Sequence, residues 1–415
     1  MDLYLYNSFS RQKELFTPIN PTSGVGLYTC GPTVYDYAHI GHGRKFLMDD
    51  ILRRTLEFNG YKVNHVQNIT DVGHLVSDAD DGEDKLEKGA KKQNKTVWEV
   101  AEYFTKSFYE SMDALNFLRP TTICKATDHI KEQIELIEKL FKNSYAYDTV
   151  EAVYFDTAKF ADYGKLFGQP LSEKKVGVRN EVKIDANKKN PQDFALWFKR
   201  VGNFADHVMH WDSPWGDGFP GWHIECSAMS MKYLGEQIDI HTGGEDHLSI
   251  HHPNEIAQSE GATGKKPFSK FWIHSAFLTV DGTKMSKSLG NYFTIEDIIA
   301  KGYNPIALRY LYLGAHYKKP MNFTWQALDG ALKGLKRLQQ TVNNLQISAR
   351  TILSEEKNQK MEDYRIKFNL AINDDLNTSK AMAVMFEMLK SNIPNPDKYD
   401  LAIFFDEVLG LRLKV

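Results

Sequence analysis

Two short segments far apart in the chain carry side chains suited to phosphate chemistry. His39-Ile40-Gly41-His42 sets two imidazoles around a glycine where an apolar run at helical spacing begins. A helix N-terminus offers free N–H groups and a partial positive charge to an anion. Gly41 lets a ligand approach the backbone, and imidazoles on either side can donate to phosphate oxygens as charge develops. The second segment, Lys284-Met285-Ser286-Lys287-Ser288, follows Asp281-Gly282 and precedes Gly290-Asn291. Two lysines and two hydroxyls on such a loop make a cationic clamp for a departing pyrophosphate. Taken singly, each has a structural alternative: a histidine pair capping a helix, and a solvated basic turn.

Between these segments lie Cys30, Cys226, His251 and Glu255. Two thiolates, an imidazole and a carboxylate form a reasonable zinc set, and the four-residue spacing of His251 and Glu255 puts both on one helix face. Pro253 is expected at the first helical position, which would leave His251 just outside the helix. There is no C-x-x-C pair, so spacing alone leaves open both a metal site and two small buried hydrophobes. Cys124 reads as the latter.

An α/β frame is needed to position these groups. Gly26 to Cys30 reads as a strand, an amphipathic helix begins near His42, and Asn59-Gly60 turns the chain into a strand from Val63 to Ile69. That order favours a parallel sheet with a right-handed crossover. Residues 71–95 read as charged and solvated. A helix opens with the capping box Thr96-x-x-Glu99, and another is expected to start at Asp128. From 145 to 215 short strands alternate with Lys-rich stretches, the mark of an insertion. The α/β alternation resumes with a helix from Trp222 to Tyr233, a strand from Gln237 to His241, a helix around Glu255 and a strand from Trp272 to Thr279. Helices are expected at 324–346, 360–372, 378–391 and 398–410, forming a bundle. The division expected is 1–120 and 216–320 for two halves of a catalytic domain, 121–215 for a connective insertion and 321–415 for the bundle.

With 415 residues, 42% apolar and 25% charged, the chain reads as a globular protein of two to three domains. A net charge of −3 means that a nucleic-acid partner must meet a local basic patch. The three cysteines suit a reducing compartment, and no secretory signal or membrane-spanning run is present, so a cytoplasmic enzyme is expected.

The two phosphate segments, in this order and on these elements, resemble the HIGH and KMSKS motifs of class I aminoacyl-tRNA synthetases. Thr29 to Asp36, Gly221 to Met229 and His251 to Glu255 look like the zinc-binding segments of the cysteinyl-tRNA synthetase family, together with Asn68-Ile69-Thr70-Asp71, Pro214-Trp215-Gly216 and Asp239-Ile240-His241. The similarity runs from about Leu5 to Leu411. It implies a Rossmann-like class I synthetase catalytic domain with an inserted connective domain and a C-terminal helical bundle. It also implies ATP with Mg2+, cysteine and tRNA(Cys) as substrates, in a monomer. His39, Gly41, His42 and Lys284 to Ser288 (Met285, Ser286 and Lys287 included) would bind ATP, with His39, His42, Lys284 and Lys287 catalytic. Cys30, Cys226, His251 and Glu255 would hold a zinc ion that takes the substrate thiol, and Cys30, Gly31, Thr70, Trp222, His241 and Asp246 would line the amino-acid pocket. Lys318, Lys319, Lys333, Lys336 and Arg337 could meet tRNA phosphates.

Departures are the stretch Val72-Gly73-His74, Pro253 where many relatives have glutamate, and an end at Val415, where relatives commonly continue into an anticodon-contacting domain. Anticodon discrimination is accordingly expected to rest elsewhere. A related cysteine ligase acting on an amino-sugar inositol shares both ATP motifs, but those ligases look to lack the glutamate that Glu255 supplies. A catalytically silent RNA-binding relative would not need intact His39, His42, Lys284 and Lys287.

Overall fold

The computed structural model describes residues 1–72, 75–77, 81–166, 188–346 and 353–414. Gly73, His74, the middle of the insertion (167–187) and Val415 lie outside the described residues.

A five-stranded parallel sheet forms the frame, in the order Ser269–Ser275, Ile238–Gly244, Val25–Thr29, Val63–Ile69, Thr122–Lys125. Its central strand is buried on both faces, with Val25, Leu27 and Tyr28 inaccessible to solvent, as a sheet covered by helices on both sides requires. The chain works outward from Val25–Thr29 in one direction and later returns to build the other side. The order therefore reverses beside that strand, and the crevice outside the carboxyl ends of Val25–Thr29 and Ile238–Gly244 is where such sheets bind ligands.

The segment expected as the connective insertion, 121–215, begins inside this frame. Thr122–Lys125 is the sheet's outer strand, and the helix Ile130–Lys142 packs against the helices Trp222–Leu234 and His251–Thr263. The inserted unit is an antiparallel sheet in the order Gly218–Pro220, Phe194–Lys199, Ala152–Phe155, Ala146–Asp148, so it starts where the composition changes near 145. A four-residue edge strand is too short for its periodicity to mark it as part of the main sheet. Asp128, expected as a cap, lies in a 3-10 turn ahead of that helix. The stretch 71–95 also departs from a fully solvated segment, because Lys85–Gln93 is a helix whose Leu86 and Ala90 are buried.

The strand expected from Trp272 to Thr279 is two strands. Ser269–Ser275 joins the parallel sheet, and Leu278–Val280 pairs with Thr283–Lys284 and Met321–Phe323 in a small separate sheet. Asp281 (φ 48°) and Gly282 (φ 77°) make the two-residue connection; positive φ at both positions is what a tight hairpin of matching twist demands.

The C-terminal helices are Trp325–Leu345, Glu355–Ile372, Thr378–Lys390 and Asn395–Leu409. Arg309, wholly buried, joins them to the frame: its guanidinium donates to Asp50 Oδ2 (2.6 Å), Leu409 O (2.6 Å), Leu115 O (3.2 Å) and Asn116 O (3.1 Å). No helix among the described residues is long and apolar enough to cross a membrane.

Candidate active site and metal centre

The first crossover helix is Ile40–Phe58, beginning two residues earlier than its apolar pattern suggests, because His39 serves as its N-cap. The cap is reciprocal. His42 N–H donates to His39 Nδ1 (3.1 Å), and His39 N–H donates to His42 Nδ1 (3.3 Å), with the two rings stacked at 3.5 Å. Each Nδ1 is thereby an acceptor, so each neutral ring carries its proton on Nε2. Burial lowers the pKa of His39 to about 4. His42 keeps one face open to solvent, yet desolvation by the surrounding protein, helped by His39 and Lys45, lowers its pKa too. At neutral pH the pair presents two uncharged Nε2–H donors.

The Lys284–Ser288 loop leans on this turn. Ile40 N–H donates to Phe293 O (3.0 Å) and Ile295 N–H to Ala38 O (3.0 Å). A Cβ on Gly41 would lie 2.8 Å from Met285 Cε, so the glycine makes room for the methionine. Asn291 staples the loop: its Oδ1 accepts from Ser286 N–H (2.8 Å), and its Nδ2 donates to Thr283 Oγ1 (2.9 Å) and Lys284 O (3.2 Å). Ser286 and Ser288 share a hydroxyl hydrogen bond of 2.7 Å. Lys284, Lys287 and Ser288 are exposed, and Lys287 is ion-paired with Asp36.

Cys30 follows the central strand, its N–H donating to Thr242 O (3.2 Å) and its carbonyl accepting from Lys45 Nζ (2.6 Å). Gly31 must be glycine, since a Cβ there would sit 1.7 Å from Asn68 O. Cys226 is on the helix Trp222–Leu234. His251 and Glu255 are both on the helix His251–Thr263, whose N-cap is Ile250. Pro253 thus stands third in the helix rather than first, and costs nothing there because first-turn N–H groups have no intrahelical partner. The expectation that His251 lies outside the helix is corrected accordingly, and the two side chains converge directly, His251 Nε2 to Glu255 Oε1 at 3.0 Å.

Cys30, Cys226, His251 and Glu255 are all buried, and one ligand atom from each falls within 4.8 Å of all the others. Tetrahedral zinc, with bonds of about 2.0–2.3 Å, spaces its ligands about 3.3–3.8 Å apart, so a small contraction of this set would accommodate the ion. Neighbouring groups orient the donors. His223 Nδ1 bonds His251 Nδ1 (2.9 Å), leaving Nε2 turned inward, and His241 Nε2 bonds Glu255 Oε2 (2.8 Å), leaving Oε1 to face His251 Nε2 (3.0 Å) and the Cys30 thiol (3.9 Å). Burial works against ionisation of Glu255, but His241 and His251 outweigh it and hold its carboxyl well below the usual range. Burial pushes the Cys30 thiol up, and its hydrogen bond with Cys30 together with burial pushes Cys226 up. A metal entering here would displace both thiol protons.

A second set, Cys30, His241, His252 and Glu255, is equally close. The sequence did not single out His252, which lies 3.4 Å from Cys30 Sγ and continues through His274 (2.7 Å) to Ser8 (2.8 Å). Its adjacency to His251 was the available signal. His241, expected to line the substrate, is fully buried behind Glu255 and stacked on Trp272. Trp222 is half-buried and stacks on His251 at 4.3 Å. Thr70 is buried, accepting from Asn68 Nδ2 (3.0 Å) and donating to Glu225 Oε2 (3.3 Å). Asp246 is exposed, and its charge acts on His39.

Residues 16–333 match the tRNA synthetases class I (C) catalytic domain, and residues 367–392 match a DALR domain. Cysteine–tRNA ligase of Treponema denticola is 46% identical, with 100% of this chain and 87% of that protein covered. Cysteine–tRNA ligase 1 of Burkholderia lata is also 46% identical, over 100% of this chain and 85% of that protein. A methionyl-tRNA synthetase of Mycobacterium tuberculosis, solved with methionyl-adenylate, superposes with a TM-score of 0.64 at 14% identity, covering 94% of this chain and 90% of that one; at that identity it speaks to the fold alone. From a catalytic-domain match over most of its length and full-length relatives at 46% identity, the chain belongs to the cysteine–tRNA ligase family of class I tRNA synthetases.

Proposed function

We propose that this chain activates cysteine with ATP to cysteinyl-adenylate and transfers the cysteinyl group to the 3′ end of tRNA(Cys). The observation that carries the reading is the buried convergence of Cys30, Cys226, His251 and Glu255 at the carboxyl edge of the strand that runs on into His39. Thiol recognition and phosphate chemistry then adjoin in one crevice.

These four residues would hold zinc. When bound, it supplies a soft Lewis acid that favours a thiolate and leaves serine's hydroxyl a poor ligand. Size alone would separate such near-isosteres by only about 1–3 kcal/mol. Trp222, packed on His251, would wall the pocket, Gly31, Thr70 and Asp246 would line the amine and carboxylate of the amino acid, and His241 braces Glu255 from behind. The Nε2–H groups of His39 and His42 donate to the α-phosphate as it gains a fifth oxygen, where hydrogen bonds aimed at developing charge count most. Gly41 and Met285, in contact with each other, would contribute to the ATP site from the same turn. Lys284 and Lys287, with the Ser286 and Ser288 hydroxyls, take the β- and γ-phosphates together with Mg2+. On the helix Trp325–Leu345, Lys333, Lys336 and Arg337 are exposed opposite its buried Leu328, Leu335 and Leu338 face, and are available to tRNA phosphates; Lys318 is half-buried against Tyr6.

ATP–pyrophosphate exchange is the direct test. Cysteine should drive exchange in zinc-replete protein and serine should not. Equal stimulation by the two amino acids would refute the reading.

A further inference from the structure

We propose that Asp36 is a positioning residue that holds Lys287 at rest and yields it to the phosphates of ATP. The proposal rests on the assignment of Lys287 to the β- and γ-phosphates above. Asp36 lies in the loop joining the central strand to His39, and Lys287 lies 251 residues later, yet the ammonium is ion-paired with Asp36 Oδ2. That ammonium is also 5.1 Å from the centroid of the Tyr292 ring, which meets His39 edge-on at 5.2 Å. Lys287 therefore waits one aromatic ring away from an imidazole that faces the anion.

Asp36 is built to hold one oxygen toward the loop. Its Oδ1 accepts from Tyr37 N–H at 2.9 Å, which turns Oδ2 to Lys287. The remainder of the loop is anchored independently, by Asn291 on Ser286 and Lys284 and by Met285 against Gly41. Release of Lys287 thus requires rotation of one side chain and no rearrangement of the loop. The pair is open to water, with the two side chains 64% and 23% exposed. Such pairs shift an equilibrium by at most about fivefold, so Asp36 biases Lys287 without trapping it, and a polyphosphate offering several anionic oxygens outcompetes a single carboxylate. When pyrophosphate leaves, Asp36 recaptures the ammonium. Carboxylate and ATP compete for one cation.

The test is steady-state, cysteine-dependent ATP–pyrophosphate exchange. Asp36→Asn keeps an oxygen for Tyr37 N–H and removes the charge. The KM for ATP should fall about two- to fivefold with kcat little changed, the pattern of a lost competitor. Asp36→Glu, which keeps the charge, should stay near the parent. The wild-type to Asp36→Asn ratio of KM should shrink toward one at about 0.5 M salt, where exposed pairs are screened. In a Lys287→Ala background Asp36→Asn should have no effect on KM, because residues that act only through each other lose their separate effects. A KM that is unchanged or raised in Asp36→Asn, or an equal shift in the Lys287→Ala background, would overturn the proposal. If Lys287→Ala itself leaves exchange intact, the assignment of Lys287 fails first, and the two failures are distinguishable. Should Asp36→Asn not fold, Asp36→Ser removes the same charge and serves in its place.

Discussion

His223 touches no substrate in the scheme above, yet its replacement should be felt at the metal. Its Nδ1 lies 2.9 Å from His251 Nδ1, and both residues are 1% exposed. For His251 to offer the Nε2 lone pair to an ion, its proton must reside on Nδ1 and be donated to His223. His223→Phe keeps the ring volume but removes the acceptor, leaving a buried N–H without this partner. That costs about 1–3 kcal/mol, which is about 5- to 150-fold in an equilibrium constant and overlaps the 10- to 100-fold in metal affinity lost with such orienting groups. The measurement is zinc affinity of the metal-free protein by competition with a chromophoric chelator, with thermal melting in parallel to show that the fold persists. Affinity should fall at least fivefold, and excess zinc should restore most cysteine-dependent exchange. A change below about twofold at an unaltered melting temperature would show that His223 does not set the His251 tautomer.

Two further outcomes follow from buried groups away from the metal. Arg309→Met should destabilise the chain by about 3 kcal/mol, the lower part of the range for breaking a buried pair, because Arg54 remains to partner Asp50 at 2.8 Å; urea unfolding measures it, and a loss under about 1 kcal/mol would mean that the bundle docks without this link. Burial, aided by Arg53 and Lys45, lowers the pKa of His65 to about 3, and its Nε2 bonds Thr29 Oγ1 at 2.9 Å. The folded form stays neutral below pH 6.5, where the unfolded chain takes up a proton. Its contribution is therefore complete above about pH 6.5 and is lost as pH falls toward 3, by up to about 1.4 kcal/mol per pH unit. His65→Gln should flatten stability against pH by that one-proton slope between pH 6 and about 4 in urea titrations; an identical slope in the two proteins would refute the assignment.

Much of the fold was legible in local pattern. The apolar repeat through Phe46, Leu47, Ile51 and Leu52 marks a helix because one face of that period must be buried, and all four are. Thr96 and Glu99 announce a helix start through a reciprocal hydrogen bond that needs only a three-residue span, and it is formed. The bundle helices were likewise readable within a few residues. What escaped notice had weak local signals. Thr122–Lys125 is too short to show its membership in the central sheet, and the break between Ser275 and Leu278 is only Ala276-Phe277, with no Gly, Pro or Asn to mark it. Pro253 misled because its usual place at the first helical position is a tendency, and any first-turn site is open to a residue without an N–H.

The sequence by itself determined the chemical inventory: the imidazole pair at a helix start, the lysine and hydroxyl loop, and two thiols with an imidazole and a carboxylate. These are properties of residue type and short spacing, and the reciprocal cap of His39 and His42 spans only three residues. Only the tertiary structure decided what those groups do to one another. Cys30 and Cys226 are brought together by strands and helices nearly 200 residues apart, His241 is turned from the open cleft onto Glu255, and Asp36 meets Lys287 across 251 residues. The physical reason is that a hydrogen bond or an ion pair reads distance in space, and distance in space between remote segments is set by sheet order and helix packing, which no local periodicity encodes.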